Sequence, residues 1–509
     1  MAHLRRTGRR RAVEPQEPLI TAPSFGFEGG RFRPLSDADV ALVHRTALDL
    51  LATLGVSQPS QTMLDLICAK GGVFTSDGRL RFPTGLVEDV ISKARRDVVL
   101  YARRPDWDLD LSGARVHFST GGAAPSLLGA EGLYRESTLQ DLHNAARITD
   151  TLANIHHFSR SLVARDVPDQ RSLDLNTAYA CLSGTDKHVS MSISDPAHVP
   201  DIAAMCYAIA GGERAFRARP FMTIMVCHVV PPMRFATEAC DTLEAAVRAG
   251  FPVQLISAGQ AGATSPASIA GSLVQAVAET LAGLVFAQLI DPEVQAIFAP
   301  KPLVADLRTG AMCGGGGEQA ILMAGAAQMG RFYNLPTSSI AGITDAKLPD
   351  AQHGYEKSLA VTLAAQAGAN LVTQACGMQA SLLGVSLESY VIDNDMLGAI
   401  MRSVRGIEAT QDNLSAEVIA TASLGEGHYL GHIDTLNRMK IDYTYPEIAD
   451  RQSPSDWQDA GSYDIYGRAK ARVRDILAAE PRNAIPLRID QKLRDRFEIL
   501  LPSAQAGQS

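Results

Sequence analysis

Short apolar runs alternate with helical patterns through the middle of this 509-residue chain. Eight such runs begin about 30 to 45 residues apart, near Val116, Ile155, His188, Phe221, Val253, Val294, Thr337 and Asn370. Helical periodicity fills the intervals, for example over 139–152, 199–209, 236–249, 269–289 and 319–333. Eight buried strands, each followed by a helix, predict an α/β protein built on a (β/α)8 TIM barrel.

An open, doubly wound parallel sheet is the rival architecture. Such a sheet usually carries G-x-G-x-x-G after its first strand, where the glycines approach a nucleotide phosphate. Here the first strand is followed by Thr-Gly-Gly-Ala-Ala-Pro over 120–125, which does not match. The barrel is therefore the favoured fold.

The flanking patterns divide the chain into four parts. Residues 13–35 are rich in Pro, Gly and Phe, and the segment 1–35 is predicted to be an extended or disordered arm. An N-terminal helical module over 36–105 precedes the barrel, which spans 106–385. A C-terminal helical module follows over 386–509, with helices near 390–404, 414–424, 464–479 and 487–500. This last module either covers one end of the barrel or forms an oligomer contact.

Charge and cysteine usage exclude several classes of protein. The 47 basic and 55 acidic residues give a net charge of −8, which disfavours nucleic acid and anionic membranes as partners. The seven cysteines include no C-x-x-C pair, as expected in a reducing compartment. The longest apolar stretch, Leu281 to Ile290, is too short to span a bilayer, and no apolar segment follows the N-terminal arginines. A cytoplasmic protein is expected.

Five segments carry a family resemblance when they are taken in order. They are Gly262–Pro266, Ile269–Gly283, Asp306–Gly310, Gly342–Gln352 and Gly354–Lys357. This series resembles the trimethylamine methyltransferase family, in the pyrrolysine-lacking branch that includes glycine betaine methyltransferases. The resemblance extends over most of the chain.

The resemblance implies a barrel that moves a methyl group from an amine nitrogen to the Co(I) of a corrinoid (cobalamin). A small separate carrier protein would supply the corrinoid. This agrees with the absence of a complete Asp-x-His-x-x-Gly motif, since Asp141–His143 and Asp186–His188 both lack the glycine. All 509 letters are standard, so the implied donor is a quaternary amine such as glycine betaine. No His or Cys cluster has zinc spacing, and no bound metal is predicted.

A quaternary nitrogen leaves as a neutral amine, so its site needs a cage for the cation and a donor for the carboxylate rather than an acid. Cage candidates are Phe158, Phe298, Tyr355 and Tyr390, with charge from Asp345 or Glu356 as catalytic carboxylates. Carboxylate donors are Arg308, His228 and His353. Lys347 is a counterpart of the pyrrolysine position, and the residues expected to face the corrinoid are Gly121, Gly122, Gly315, Gly316 and Gln374.

Three alternatives stay open. The donor could be trimethylamine or another methylamine. A non-catalytic barrel that binds a betaine or the corrinoid carrier is the second, because the chain departs from the family pattern at His353, Asp434 and Val230. A barrel aldolase or hydrolase is the third, but Lys187 and Lys347 are not placed as a Schiff-base lysine would be. A homo-oligomer is expected as the common state of such enzymes.

Overall fold

A computed structural model describes residues 27–129, 131–480 and 483–503. Most of the predicted extended arm over 1–35 lies outside these residues. Eight short parallel strands form the centre of the fold. They are β1 His117–Phe118, β2 Phe158–Ser159, β3 Val189–Met191, β4 Met222–Val226, β5 Val253–Ser257, β6 Ala296–Pro300, β7 Ser338–Ile340 and β8 Leu371–Thr373.

The eight strands close into a barrel in chain order. Strands β2 to β6 form one parallel sheet, and β7, β8 and β1 form a second. Parallel bridges join the two sheets at both seams, between Ser119 and His157 and between Phe298 and Thr337. Every predicted strand start lies within three residues of an observed one, so the TIM barrel prediction is confirmed.

Eight helices surround the strands. They are α1 Leu139–Thr151, α2 Gln170–Gly184, α3 Val199–Ala210, α4 Thr237–Arg248, α5 Ile269–Ile290, α6 Gly317–Tyr333, α7 Ala351–Gln366 and α8 Leu387–Arg405. Local sequence sets several of their ends. Thr138 caps α1 in a reciprocal capping box with Asp141, and Asn334 ends α6 in the left-handed conformation.

Helix α8 packs against both α7 and α1 and so completes the ring. The sequence analysis assigned this helix to the C-terminal module, whereas it packs as the eighth helix of the barrel. The division of the chain into an N-terminal module, a barrel and a C-terminal module stays a prediction. Among the described residues, α5 alone is long and apolar enough to cross a membrane, but 83% of its apolar window is buried inside the protein.

The N-terminal region contributes three helices and two small sheets. The helices are Asp37–Thr53, Gln61–Cys68 and Thr84–Lys93, and the first sheet pairs Val56–Ser57 and Val73–Phe74 with Arg79–Arg81. A hairpin of Val99–Leu100 and Leu109–Asp110 forms the second. Its apolar side chains are buried with Ile297 and Leu371 at the amino ends of the strands. This hairpin therefore plugs the bottom of the barrel.

The remaining elements lie in the loops and beyond α8. Small sheets in the loops at the carboxyl ends of the strands comprise Ser126–Leu128, Tyr134–Glu136, Met378–Gln379 and Gly384–Val385, and Gln260–Ala261, Leu303–Ala305 and Met312–Cys313. Further helices are Glu213–Ala218, Ala416–Leu424, Ile433–Arg438, Pro454–Asp459, Ile465–Ala478 and Leu487–Arg496, with 3-10 turns at Pro105–Trp107, Pro196–His198 and Ala380–Leu382. The helix Ile465–Ala478 packs on α8 and α1.

Candidate active site

The interior of the barrel is polar above its bottom layer. Alternate residues of each strand face inward. Leu371 of β8 and Ile297 of β6 face inward because they pack on the plug, and the strand register identifies the other inward residues by their alignment with these two. The inward polar side chains form what we call the polar column: His117, Ser119, His157, Ser159, His188, Ser190, Thr223, Gln254, Lys301, Ser338 and Thr373. TIM barrels usually fill these layers with branched apolar residues. The polar interior therefore favours a bound polar ligand over an apolar core.

Strand β4 shows that the column opens at the carboxyl ends of the strands, which we call the mouth. Its inward residues are Thr223, Met225 and Cys227. Thr223 is buried, Met225 is partly exposed and Cys227 is exposed. Accessibility thus increases step by step toward the mouth, where active sites of this fold are located.

Several atoms of the column lack a hydrogen-bond partner among the described residues. They are Nε2 of His157, Oγ of Ser190, Nε2 of Gln254 and Oγ of Ser338, all buried. Native proteins leave few buried polar atoms unsatisfied. We therefore expect bound water or a polar ligand to contact these atoms.

Lys301 is the only lysine of the column. It follows β6, and its Nζ donates to Oε1 of Gln254 and Oγ1 of Thr373, each at 2.9 Å. Within the described ranges, no carboxylate forms an ion pair with it, and burial lowers its pKa to about 7. A buried ammonium without a counterion favours an anionic group arriving from outside.

A second cation without an ion pair lies at the same end of the barrel. Arg160 follows β2 and donates from Nη2 to Oγ of Ser192 at 3.0 Å, while its Nε has no partner among the described residues. Burial lowers the pKa of this guanidinium. Neither Lys301 nor Arg160 was among the residues that the sequence indicated.

The predicted catalytic carboxylates, Asp345 and Glu356, accept hydrogen bonds from residues of the mouth loops. Asp345 accepts from the amides of Gly314 and Gly315 and from Oγ of Ser381 at 2.5 Å. Burial raises the pKa of Asp345, but the hydrogen bonds, led by that from Ser381, outweigh it and leave the pKa lowered. The carboxylate therefore stays ionised as an anchor for two loops.

Glu356 has a similar set of partners. It accepts from Oγ1 of Thr344 at 2.6 Å, from the amide of Asp345 at 2.8 Å and from Nε2 of Gln352 at 2.8 Å. Lys347 is exposed and donates to the carbonyl oxygen of Asp345. The catalytic role of these three residues stays a prediction, since each already has partners within the loops.

The structure does not bring the predicted cage residues together. By register, Phe158 and Phe298 point outward, and the ring of Phe298 packs edge-on against Tyr333 of α6 at 5.5 Å. Tyr390 is buried on α8 and donates to Oγ of Ser161, whereas Tyr355 is 64% exposed on α7. The four aromatic residues therefore do not form the expected cage, because alternation along the strands directs the two phenylalanines away from the column.

The predicted carboxylate donors are also placed elsewhere. Nε2 of His228 contacts the carbonyl oxygen of Glu279 on α5 at 2.9 Å, outside the strand ring. Arg308 is exposed and pairs with Asp306, and both groups lie in one surface turn. Nε2 of His353 contacts Oδ1 of Asp393 at 2.8 Å. None of the three has a donor directed into the column.

The residues expected to face the corrinoid lie at the mouth, but they are closely packed. A Cβ added at Gly121 would lie 2.9 Å from Nε2 of Gln374, and one at Gly122 would lie 2.0 Å from Cε of Met378. A Cβ at Gly315 would contact Glu356, and Gly316 precedes helix α6. Close packing between loops therefore favours glycine at Gly121, Gly122 and Gly315. Contact of the predicted corrinoid-facing residues with a corrinoid stays a prediction.

A buried charge network supports the loop after β8. Asp393 on α8 accepts from Nζ of Lys357 at 2.7 Å and from the amide of Gly377 at 2.8 Å, in addition to its contact with His353. Burial raises the pKa of Asp393, but Lys357 and His353 lower it more. This network joins α7, α8 and the loop above the column. In the described part of the chain, no cluster of three His, Cys, Asp or Glu residues could hold a metal ion.

The chain is similar to known methyltransferases over nearly its whole length. The family model for trimethylamine methyltransferase (MTTB) matches residues 3–498. Trimethylamine methyltransferase MttB of Desulfitobacterium hafniense is 29% identical over 489 residues, covering 94% of this chain and 96% of the relative. Glycine betaine methyltransferase of the same species is 27% identical over 465 residues, covering 91% and 96%.

Solved structures are more distant. The monomethylamine methyltransferase MtmB of Methanosarcina barkeri has a TM-score of 0.46 and 13% identity, covering 89% of this chain and 95% of that one. The match of the family model over nearly the whole length identifies the chain's place among known enzymes. The chain is a methyltransferase and belongs to the trimethylamine methyltransferase family.

Proposed function

We propose that the enzyme transfers a methyl group from a quaternary amine that carries a carboxylate, glycine betaine or a related betaine, to the Co(I) of a corrinoid on a small carrier protein. The observation that carries the proposal is Lys301, a cation without a carboxylate partner inside the polar column. Family membership supports methyl transfer from an amine. The betaine carboxylate gives Lys301 the anion that its own chain does not supply.

The geometry of the column orients such a donor. Nζ of Lys301 donates to Gln254, which aligns with Met225, one inward position below the exposed Cys227. A carboxylate bound at this Nζ leaves the quaternary nitrogen directed toward the mouth. The sulfur atoms of Met225 and Cys227 line that path with polarizable surface. Co(I) of the corrinoid supplies the nucleophile. Because the amine leaves uncharged, no general acid is needed, in agreement with the internal bonding of Asp345 and Glu356.

The proposal is tested with free Co(I) cobalamin and a panel of donors: glycine betaine, proline betaine, carnitine and trimethylamine. We expect a change in visible absorbance with at least one betaine and none with trimethylamine. Transfer from trimethylamine at an equal rate would instead favour the methylamine alternative. Binding of a betaine by calorimetry with no demethylated product would favour the non-catalytic barrel.

The affinity for a betaine should depend on pH through Lys301. Its pKa is lowered to about 7, so it loses its proton as the pH rises through that value, and only the protonated form attracts a carboxylate. The dissociation constant should be flat below about pH 6.5 and rise up to about tenfold per unit above pH 7.5. Calorimetry of dimethylglycine or glycine betaine from about pH 5.5 to about pH 9 covers both regions and needs no corrinoid. A flat profile throughout would remove Lys301 from the site.

The mouth also offers a docking surface for a carrier. Five apolar side chains project from different mouth loops with 40% to 71% exposure and form what we call the apolar rim: Leu133, Val230, Leu307, Leu348 and Leu383. A protein that presents a large cofactor to the column must contact this edge. Exposed apolar patches of this kind mark interaction sites.

The double substitution Leu348→Asp, Leu383→Asp should therefore slow methyl transfer to the corrinoid protein but not methyl transfer to free cobalamin. We expect methyl transfer to the corrinoid protein to fall about tenfold, since two apolar contacts are replaced by charges. Transfer to free cobalamin should stay unchanged. Val73→Asp, at an exposed position of the N-terminal sheet, is the matched control. Equal losses with both acceptors would place the rim in catalysis instead of docking.

A further inference from the structure

Gln254 occupies an inward position of strand β5, and one contact fixes the orientation of its side-chain amide. Its Oε1 accepts from Nζ of Lys301 at 2.9 Å. An ammonium nitrogen only donates hydrogen bonds, so the atom that it contacts is the carbonyl oxygen of the amide. This contact therefore also determines on which side of the amide Nε2 lies.

The Nε2 group of Gln254 has no hydrogen-bond partner among the described residues, although the side chain is completely buried. A buried donor without a partner destabilises the folded state. Inward positions of TIM barrels usually carry branched apolar residues, which avoid this penalty. The amide at position 254 therefore indicates a ligand that accepts hydrogen bonds from Nε2.

Lys301 has one further donor beside this amide. Its Nζ donates to Oε1 of Gln254 and to Oγ1 of Thr373, each at 2.9 Å. Thr373 gives its own hydroxyl hydrogen to the carbonyl oxygen of Ser339 at 2.9 Å, so it accepts from Lys301. A protonated lysine carries three N–H groups. Within the described ranges, one N–H of Lys301 is therefore unpartnered, and it lies close to Nε2 because Oε1 and Nε2 share one carbon.

The groups that face Lys301 supply no negative charge. The titratable side chains that interact with it electrostatically are Cys227 and His157. Desolvation inside the column raises the pKa of the Cys227 thiol more than Lys301 lowers it, and burial lowers the pKa of His157 well below its ordinary value, so both are uncharged. Met225, which aligns with Gln254, is partly exposed. An anion that enters through the mouth can therefore reach this level of the column.

We propose that Gln254 and Lys301 together bind the carboxylate of the donor, and that Gln254 determines the specificity for a carboxylated donor. The inference rests on the proposed function and adds its specificity-determining residue. Nζ donates to one carboxylate oxygen and Nε2 to the other, so that two neighbouring donors match two acceptors on one carbon. The neutral amide also leaves the charge of Lys301 uncompensated. A carboxylate at position 254 would instead pair with Lys301 and repel the donor.

Calorimetry with glycine betaine and with choline, at about pH 6.5 and without a corrinoid, tests the proposal. Choline has the same trimethylammonium group but a hydroxyl in place of the carboxylate. The wild type should bind the betaine about tenfold or more tightly than choline. Gln254→Glu should reverse this order, because the new carboxylate pairs with Lys301. Gln491→Glu, at an exposed position of the helix Leu487–Arg496, is the matched control and should keep the wild-type order.

Gln254→Met provides a second variant, which removes Nε2 without adding a charge and keeps the length of the side chain. We expect its dissociation constant for glycine betaine to rise about tenfold or more, since a hydrogen bond to a charged group is lost. Its affinity for choline should stay within about twofold of the wild type, because choline has no carboxylate to lose. The urea midpoint of each variant shows whether the column is folded.

Three results would count against the inference. Unchanged betaine affinity in Gln254→Met, or a preference for the betaine that survives in Gln254→Glu, would overturn the role of Gln254. The proposed function would still stand if Lys301→Met weakens betaine binding. Equal losses for betaine and choline would show that Gln254 only maintains the shape of the column, which also overturns its role in specificity. A wild-type chain that binds no betaine would overturn the proposed function itself.

Discussion

Replacing Lys301 by methionine should lower kcat/KM for methyl transfer from a betaine about 100-fold. Methionine keeps the length of the side chain but removes the ammonium, and a hydrogen bond to a charged group contributes about 1.5–3 kcal/mol. A loss of about 2.7 kcal/mol corresponds to a factor of 100. Transfer assays with free Co(I) cobalamin and calorimetry of betaine binding measure the effect.

The stability of this variant provides the control. Burial lowers the pKa of Lys301 to about 7, which means that the buried cation destabilises the folded state. Lys301→Met should therefore unfold at an equal or higher urea concentration than the wild type. Lys70→Met, at an exposed position of the N-terminal region, should change neither activity nor stability. Full activity of Lys301→Met would refute the proposed carboxylate site.

Replacing Asp393 by leucine should lower the free energy of unfolding by about 3–5 kcal/mol, because it leaves Lys357 as an uncompensated buried charge. The two side chains are 2.7 Å apart and both are fully buried. Urea denaturation measures the loss. Adding Lys357→Met to the first change should restore more than half of it, since the unpaired ammonium is then gone.

An exposed pair of the same residue types serves as the comparison. Asp89 and Lys93 are 2.8 Å apart on helix Thr84–Lys93 and more than half exposed. Asp89→Leu should cost less than about 1 kcal/mol, because water screens exposed pairs. A similar small loss at Asp393 would show that the buried network contributes nothing beyond a surface pair.

The barrel was predictable because its signal is repeated. Short apolar or β-prone runs recur at a regular spacing along the chain, and caps such as Thr138 mark the starts of helices. The segment 414–424 was also expected to be helical and contains the helix Ala416–Leu424. Periodicity does not show whether a segment packs on its own chain, so the exposure of Leu424 and Leu430 could be known only from the structure.

The candidate site depended on a register that sequence patterns did not fix. Phe158 and Phe298 are each one residue from an inward position, and one step along a strand reverses the side-chain direction. The sequence nevertheless contained two indications of the polar column. Gln254 stands alone as an amide inside the apolar strand β5, and Lys301 directly follows β6. Polar residues at alternate positions of buried strands would have indicated the column.

The plug at the bottom of the barrel has a consequence for the order of events in the proposed catalytic cycle. The apolar side chains of the hairpin, Ile297 and Leu371 are at most 1% exposed, so within the described part of the chain this end of the column is closed. In the docking arrangement that we propose, a carrier seated on the apolar rim covers the mouth. The amine must then load before the carrier docks, and the demethylated product must wait until the carrier leaves. On the proposed function we therefore expect a compulsory-order cycle, in which excess carrier slows the exchange of amines.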